Sequence, residues 1–367
     1  MRVGVLTSSR ADFGIYMPLL KEIQKDDFFE LKTIVFGTHL SAFHGYTKTN
    51  IEAAGFAIDY EIESMMLSDS KEAISTAMGL TMTKFANFWE TNGNKFDIVL
   101  CLGDRYEMFA AVLSALPFSI QFAHLHGGEK TLGAIDNVFR HALTHASVVH
   151  FTACELYKER VEALLDEPKN IYNVGALSLD NILQIDLLDK EEFKQKWNID
   201  MDAKTALMTF HSETVKAEKN IDFAHEVVKL IKQNKEIQFL ITMPNADTAG
   251  NLIRQIFIQE LSEESHVFME ENLGTQSYFS AMKHCKFLIG NTSSGILEAA
   301  SFDKYVLNLG DRQKGRLAGE NVIHTEINLD VMQKALDTVM DLPSFGAKNI
   351  FYNGGATSKI INALKSI

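Results

Sequence analysis

The chain has 367 residues, too many for one ordinary hydrophobic core, and suits two domains of about 150 to 200 residues each. With 46% hydrophobic and 23% charged residues and no low-complexity tract, the composition excludes a largely disordered protein. The net charge of −13 argues against a general nucleic-acid or anionic-membrane surface, so any phosphate ligand has to be bound locally.

The cysteines and the N-terminal segment favour a reducing cytoplasm. Cys101, Cys154 and Cys285 are widely spaced and form no CxxC pattern, which indicates neither a disulfide framework nor a zinc site. The N-terminal sequence MRVGVLTSSRADFG turns polar after six residues, so no export is expected. The most membrane-like segment, residues 108–125, contains several polar residues and Pro117, and it is predicted to be a buried helix followed by a strand.

Short apolar runs alternate with helical patterns in the first half of the chain. Near-continuous apolar strands between helices are typical of a parallel sheet covered on both faces. The predicted strands are Val3–Thr7, Leu31–Phe36, Ile98–Leu102, Ser119–Leu125, Val148–Thr152 and Ile171–Val174.

The alternation restarts after a charged amphipathic stretch, residues 187–202, which places a domain boundary near residue 185. We therefore predict an α/β protein with two doubly wound domains, residues 1–185 and 186–356, and a final helix, residues 357–367, that packs back onto the first domain. Such sheets bind ligands beyond the carboxyl ends of their strands, so two domains face to face would form an active-site cleft. The strands predicted in the second domain are Thr205–Thr209, Gln238–Met243, Val267–Met269, Phe287–Ile289 and Tyr305–Leu309.

The loop after the first strand, TSSRADFG, leads into a helix. Free N–H groups at a helix start attract phosphate, and Arg10 can add a charge-assisted contact. The alternative is a capped turn with a solvated arginine. The loop lacks the GxGxxG pattern, so a dinucleotide cofactor is not supported.

Two polar clusters follow strands of the first domain. Asp104 lies in the loop GDRYE, where it is suited to acid/base chemistry or, alternatively, to capping a helix. The second cluster, HLHGGEKT, contains His126 and Glu129, with Asp136 and Arg140 shortly behind. A helix from about residue 134 would place Asp136 and Arg140 at i and i+4, where they can form a simple surface pair. Metal binding is disfavoured because these side chains lack a known ligand spacing.

The second domain carries a phosphate-binding pattern. An apolar strand, the turn GNTSS and a helix direct backbone N–H groups, Ser293, Ser294 and the helix dipole at one anion, with Gly295 behind them. Glu298 can accept ribose hydroxyls or can simply be a favourable acid in the first helical turn. The cationic loop DRQKGR, which ends in Arg316, is either solvated surface or a further phosphate contact.

Two further segments of the second domain follow strands. His211, in TFHSET, can face a ligand, although a lone histidine is more often structural. Asn245, in MPNAD, reads by itself as a turn with Asx capping.

Together these segments resemble the UDP-N-acetylglucosamine 2-epimerase family, specifically its hydrolysing branch, which feeds sialic acid and related nonulosonic acid synthesis in bacteria. The resemblance spans nearly the whole chain. It is carried by seven motifs in order: TSSRADFG, CLGDRYE, HLHGGEKTLGAIDNVFRHALTH, TFHSET, MPNAD, GNTSSGILEA and GDRQKGR.

The resemblance implies a GT-B-like fold of two Rossmann-like domains, with a UDP-sugar as substrate and no cofactor. It implies a homodimer or homotetramer. The UDP contacts that it implies are Arg10, Ser293, Ser294, Gly295, Glu298 and Arg316. The catalytic positions that it implies are Asp104, Glu129, Asp136, His211 and His126. The sugar contacts that it implies are Arg105 and Asn245. Non-hydrolysing relatives carry a carboxylate where His126 stands, so Glu129, Asp136 or His126 itself is the proton carrier here.

The implied reaction converts UDP-N-acetylglucosamine and water to N-acetylmannosamine and UDP. Removal of the C2 proton with departure of UDP leaves 2-acetamidoglucal, which water then hydrates, so no redox cofactor is required. The rival substrates and reactions are a UDP-2,4-diacetamido-trideoxyhexose of the legionaminic acid route and a non-hydrolysing epimerisation. A GT-B glycosyltransferase and a non-catalytic UDP-sugar sensor share the fold.

Overall fold

The computed structural model describes residues 1–68, 70–132, 135–166, 169–213, 217–244 and 250–367. The chain forms two compact units. Unit 1 comprises Met1–Glu129, Asp136–Gln184 and Phe351–Ile367, and unit 2 comprises Lys130–Ile135 and Ile185–Ile350. Each unit contains its own parallel sheet.

Strands and helices alternate along the chain. The strands are β1 Arg2–Thr7, β2 Glu30–Phe36, β3 Tyr60–Ile62, β4 Ile98–Leu102, β5 Phe122–Leu125, β6 Val149–Thr152, β7 Ile171–Asn173, β8 Thr205–Thr209, β9 Gln238–Thr242, β10 Val267–Glu270, β11 Phe287–Gly290, β12 Val306–Leu309 and β13 Val322–Thr325. The helices are α1 Arg10–Lys25, α2 Lys48–Ala53, α3 Lys71–Asn92, α4 Tyr106–Leu113, α5 Asp136–His145, α6 Glu155–Leu165, α7 Ser178–Gln184, α8 Lys190–Trp197, α9 Asn220–Gln233, α10 Gly250–Leu261, α11 Gly274–His284, α12 Ser293–Leu297, α13 Leu329–Asp341 and α14 Ala356–Ser366. Short 3-10 turns occupy Gly37–Leu40, Ala42–His44, Gly93–Lys95, Leu116–Phe118, Ala217–Lys219 and Ala299–Phe302.

Unit 1 is built on seven parallel strands in the order β3-β2-β1-β4-β5-β6-β7. Both faces are covered, as a parallel sheet requires. One core joins strand residues such as Leu100 to Leu20 of α1 and Ile360 of α14, and the other packs Val99 against Trp89 of α3. The order reverses between β1 and β4, and the carboxyl ends at such a switch point leave room for a ligand.

Unit 2 repeats this plan with six parallel strands in the order β10-β9-β8-β11-β12-β13. Its core contains Met208 of β8, Phe239 of β9 and Leu336 of α13, all buried. The reversal falls between β8 and β11, so the segment after β11 starts at the switch point.

The predicted α/β class with two doubly wound parallel sheets is confirmed, and every predicted strand is present. The fifth begins at Phe122 rather than Ser119, because Leu116–Phe118 forms a 3-10 turn and Ser119 has a left-handed backbone. The edge strands β3 and β13 were missed: β3 has three residues, and β13 is mostly half-buried, so neither shows a continuous apolar run. No helix in the described part of the chain has the length and apolar character needed to span a membrane.

Gly290 allows the close approach of β11 to β8, and its substitution should destabilise unit 2. Its φ is +127°, and a Cβ atom there would lie 2.1 Å from the carbonyl oxygen of Thr209. We expect Gly290→Ala to lower the free energy of unfolding by roughly 2–4 kcal/mol, measured by urea denaturation. Gly79→Ala in α3, where a Cβ meets nothing within 4 Å, should instead raise it by about 0.5–1 kcal/mol. A change below about 0.5 kcal/mol for Gly290→Ala would contradict this account.

Candidate active site

The loop after β1 is held by Asp12. Its carboxylate accepts hydrogen bonds from the Ser8 N–H (3.0 Å) and the Ser8 hydroxyl (2.6 Å), and Ser9 caps α1 by accepting the Asp12 N–H. Arg10 occupies the first helical position and is exposed. The capped turn is thus present, and Arg10 is presented at a helix N-terminus, where an anion is favoured.

Asp104 lies between β4 and α4 and does not cap the helix. The N-cap position of α4 is occupied by Arg105, so the capping alternative for Asp104 is wrong. Arg105, predicted to contact the sugar, donates to Glu107 of its own loop at 2.8 and 3.2 Å, and Glu107 is buried. Asp104 is therefore left to interact with residues from other segments.

The turn after β5 joins His126 to Glu129. The His126 Nδ1–H donates to the Glu129 carboxylate at 2.7 Å, and both side chains are buried. The other ring nitrogen, Nε2, is buried without a hydrogen-bond partner among the described residues. His126 has a φ of +64°, which a non-glycine residue seldom adopts, and a Cβ atom on Gly128 would lie 2.2 Å from the Tyr157 carbonyl oxygen. The turn thus holds His126 with Nδ1 bonded to Glu129 and with Nε2 available for a further hydrogen bond.

Arg140, on α5, connects these two loops. Its Nη2 donates to Asp104, its Nη1 donates to the His126 carbonyl at 2.6 Å, and Nη1 lies 3.8 Å from Glu129. The expected pairing within α5 is therefore not its main interaction. Burial opposes its charge, but Asp104, Glu129 and the half-buried Asp136 in the first turn of α5 raise its pKa.

His124 is a structural brace and not a ligand. Its Nε2–H donates to the Gly103 carbonyl at 2.8 Å, and its Nδ1 lies 3.1 Å from the Thr144 hydroxyl. Burial lowers the pKa of His124 to about 3, so it is neutral at physiological pH. Across the described residues, no group of three or more His, Cys, Asp or Glu side chains is arranged to hold a metal ion.

In unit 2, Asn291 holds three loops together. Its side chain accepts the His211 N–H at 2.7 Å and donates to the His211 carbonyl at 2.8 Å. Its own carbonyl accepts hydrogen bonds from Gln313 (2.8 Å) and Arg312 (3.3 Å). The buried His211 is thereby fixed beside the loop that starts α12. The sequence analysis did not single out Asn291, because an asparagine after a strand looks like an ordinary turn residue.

The predicted phosphate loop is a short helix start. Thr292 caps α12 by accepting the Ser294 N–H, and Ser293 and Ser294 form its first turn. Gly295 is required because a Cβ there would lie 2.9 Å from Val306. Glu298 is buried and ends α12, so the alternative of a first-turn acid is wrong.

Tyr278 of α11 also faces this loop. Its hydroxyl lies near Ser294 and Thr209, and burial raises its pKa to about 12, so it is uncharged at physiological pH. It lies in a helix that carries no motif, so no sequence pattern predicted it near this loop.

A cavity of about 610 Å³ opens beside the loop after β12. Arg316 lines it and donates to Gln313 at 3.0 Å, so this part of the cationic loop is more than solvated surface. The buried Glu213 closes one side and accepts the Asp311 N–H at 2.6 Å. Asn245, the second predicted sugar contact, lies outside the described residues.

The burial of His124 should make stability depend on pH. Its folded pKa of about 3 lies below the ordinary value near 6.5, so the unfolded chain takes up the proton first as the pH falls. Stability present above pH 6.5 is therefore lost progressively toward pH 3. Between pH 7 and 5 we expect His124 to account for a loss of roughly 1–2 kcal/mol, seen as a shallower pH slope of unfolding free energy in His124→Gln. The exposed His145→Gln is the control, and equal slopes for wild type and His124→Gln would contradict the assignment.

The chain is similar in sequence to known proteins over most or all of its length. Residues 21–365 match a family model described as UDP-N-acetylglucosamine 2-epimerase. A GDP/UDP-N,N'-diacetylbacillosamine 2-epimerase (hydrolyzing) from Campylobacter jejuni is 35% identical over 89% of this chain and 85% of its own length. A UDP-N,N'-diacetylbacillosamine 2-epimerase (hydrolyzing) from Legionella pneumophila is 32% identical over 100% of this chain and 96% of its own length.

Solved structures show the same architecture. A UDP-GlcNAc 2-epimerase from Neisseria meningitidis bound to UDP-GlcNAc is similar over 100% of both chains, with a TM-score of 0.85 and 18% identity. A UDP-GlcNAc 2-epimerase from Methanocaldococcus jannaschii, in complex with UDP-GlcNAc and UDP, is also similar over 100% of both chains, with a TM-score of 0.81 and 16% identity. These similarities confirm the predicted GT-B-like fold.

Proposed function

The chain belongs to the UDP-N-acetylglucosamine 2-epimerase family, and from that premise we propose that it is a hydrolysing 2-epimerase of a UDP-2,4-diacetamido-2,4,6-trideoxyhexose. The products are the free 2-epimeric sugar and UDP. The motifs of the sequence favoured UDP-N-acetylglucosamine as the substrate, with this sugar as the alternative. The reversed order is supported by the two diacetylbacillosamine 2-epimerases, which are more similar to this chain than the 27% identical UDP-N-acetylglucosamine 2-epimerase of N. meningitidis.

The single structural observation that supports acid/base chemistry is the His126–Glu129 pair. Because Glu129 accepts the Nδ1–H, the imidazole is fixed in one tautomer and Nε2 remains to exchange a proton with a substrate. A backbone strained at this histidine is typical of a functional turn. His124, by contrast, has a polar partner at both ring nitrogens, which leaves neither available to a substrate.

The reaction requires two proton transfers at C2. In the first step a base removes the C2 proton while the C1–O bond breaks and its electron pair leaves with UDP, which gives a 2-acetamidoglycal. In the second step the oxygen of water bonds to C1 and gives up one proton to a basic group of the site, while an acidic group delivers a proton to C2 from the opposite face. We assign the two transfers to the His126–Glu129 pair and to Asp104, with Asp136 and His211 as further sugar-contacting groups.

UDP binding is assigned mainly to unit 2. The first turn of α12, with Ser293, Ser294 and Gly295, offers N–H and hydroxyl donors to the diphosphate, and Glu298 offers a carboxylate to the ribose. The resemblance assigns Arg10 and Arg316 to the diphosphate as well, and their positive charge would stabilise the leaving group as its negative charge grows. The predicted homodimer or homotetramer, the sugar contacts of Arg105 and Asn245, and the cytoplasmic location stay predictions.

Product analysis tests the substrate and the reaction together. Purified protein is incubated in deuterated water with UDP-N,N'-diacetylbacillosamine or with UDP-N-acetylglucosamine, and products are followed by ¹H and ³¹P NMR. We expect free sugar carrying deuterium at C2 plus UDP, with kcat/KM at least about 10-fold higher for the diacetamido substrate, because a lost polar contact costs that much. Equal or better use of UDP-N-acetylglucosamine would overturn the substrate, and an intact epimeric nucleotide sugar would overturn hydrolysis.

Asp104→Asn tests the second proton-transfer group. Removing a group that transfers a proton should lower kcat by roughly 10²–10⁴. If Asp104 acts in hydration, the 2-acetamidoglycal accumulates in the NMR spectrum, and if it acts in elimination, no intermediate appears. The matched control is Asp97→Asn, which breaks an exposed pair with Arg2 in the same unit. Turnover within about threefold of wild type would remove Asp104 from the chemistry.

A further inference from the structure

The guanidinium of Arg140 is the point where three segments of unit 1 meet. It is 2% exposed and lies on α5. It donates to the Asp104 carboxylate, which follows β4, and to the His126 carbonyl, which follows β5, and it lies 3.8 Å from Glu129. The three residues that the guanidinium contacts or approaches, Asp104, His126 and Glu129, are therefore the ones to which proton transfer is assigned.

The charges around Arg140 explain why this position needs a cation. The titratable groups that face it from the packed elements are Asp104, Glu129, Asp136, Tyr157, His124 and His126. The half-buried Asp104 and the buried Glu129 both approach one guanidinium, so Arg140 lies next to two carboxylates. Without the cation, two neighbouring carboxylates repel, and one of them takes up a proton at higher pH.

The hydrogen bonding of Arg140 argues against a role limited to stability. A buried ion pair often contributes little net stability, and a guanidinium kept for packing is expected to have its N–H groups paired. The Arg140 Nε has no hydrogen-bond partner among the described residues. The two terminal nitrogens instead bind Asp104 and the His126 turn, which fixes the spacing between two loops.

We propose that Arg140 is a positioning residue that holds the Asp104 and Glu129 carboxylates at one guanidinium and sets their distance from His126. This inference rests on the proposed function, since it assigns Arg140 to the proton-transfer groups of that reaction. Lysine cannot replace it fully, because a single ammonium lacks the planar fork that serves a carboxylate and a carbonyl together.

The test compares Arg140→Gln and Arg140→Lys with Arg2→Gln, which removes an exposed arginine paired with Asp97. We expect Arg140→Gln to lower kcat about 100-fold with little change in KM, and to move the acidic limb of the pH profile of kcat up by about one pH unit. Arg140→Lys should keep that limb near its wild-type position, because the charge remains, but should lower kcat about 10-fold, because the fork is lost. Added guanidinium should partly restore Arg140→Gln and leave Arg2→Gln unchanged.

Two further measurements complete the test. In a double-mutant cycle, Asp104→Asn should mask most of the effect of Arg140→Gln, because the residues act as one unit. Carboxyl ¹³C titration of labelled protein follows Asp104 and Glu129 without any turnover, and one of them should titrate at higher pH in Arg140→Gln.

The outcomes separate the two proposals. A wild-type pH profile and carboxyl titration in Arg140→Gln would overturn the role of Arg140, and so would effects that simply add to those of Asp104→Asn. If Arg140→Gln does not fold, wild-type kcat in a folded Arg140→Lys would overturn it. Absence of wild-type turnover with either UDP-sugar counts against the proposed function alone, because the carboxyl titration still decides whether Arg140 governs Asp104 and Glu129.

Discussion

The placement of several carboxylates around one buried cation is the constraint on which the unit 1 site depends. Asp104 and Glu129 come from different loops. Bringing two carboxylates together away from water carries a free-energy penalty unless a cation is paired with them. Arg140 removes that penalty by offering donors in two directions from one helix position. The loops after β4 and β5 are consequently fixed relative to each other. His124 of β5 adds a second connection by donating a hydrogen bond to the Gly103 carbonyl in the loop after β4.

In unit 2, the loops that follow the strands are joined by uncharged side chains. Asn291 holds the loops after β8 and β12 through both its amide and its carbonyl, and Tyr278 faces Ser294 as an uncharged hydroxyl. In the proposed function, the N–H groups at the first turn of α12 bind a diphosphate, which carries its own negative charge. Arg316, which lines the neighbouring cavity, is the proposed source of local positive charge in a chain with a net charge of −13.

Sequence predicted the sheets and the loops because both follow from local pattern. Apolar runs such as Ile98–Leu102 mark buried parallel strands, and polar clusters after them mark the ligand-binding edge. The partners within the site were not predictable in this way. Arg140 and Asp104 are 36 positions apart, and His211 and Asn291 are 80 positions apart, so only the folded sheet order brings them together. Local rules therefore offered an i,i+4 pair for Arg140 and, beside acid/base chemistry, a helix cap for Asp104.

His126 affects both the net charge of the carboxylate cluster and the proposed proton transfer. The resemblance puts a carboxylate there in non-hydrolysing relatives, and a further acid beside Glu129 would add negative charge to the cluster of Asp104, Glu129 and Asp136 around Arg140. An imidazole adds no negative charge. Glu129 accepts the Nδ1–H of this histidine and fixes its tautomer, so Nε2 is the atom to which the proposed mechanism assigns proton transfer. Because the strained turn at His126 is held by the Arg140 bond to its carbonyl, the position of that nitrogen depends on the same cation that orders the carboxylates.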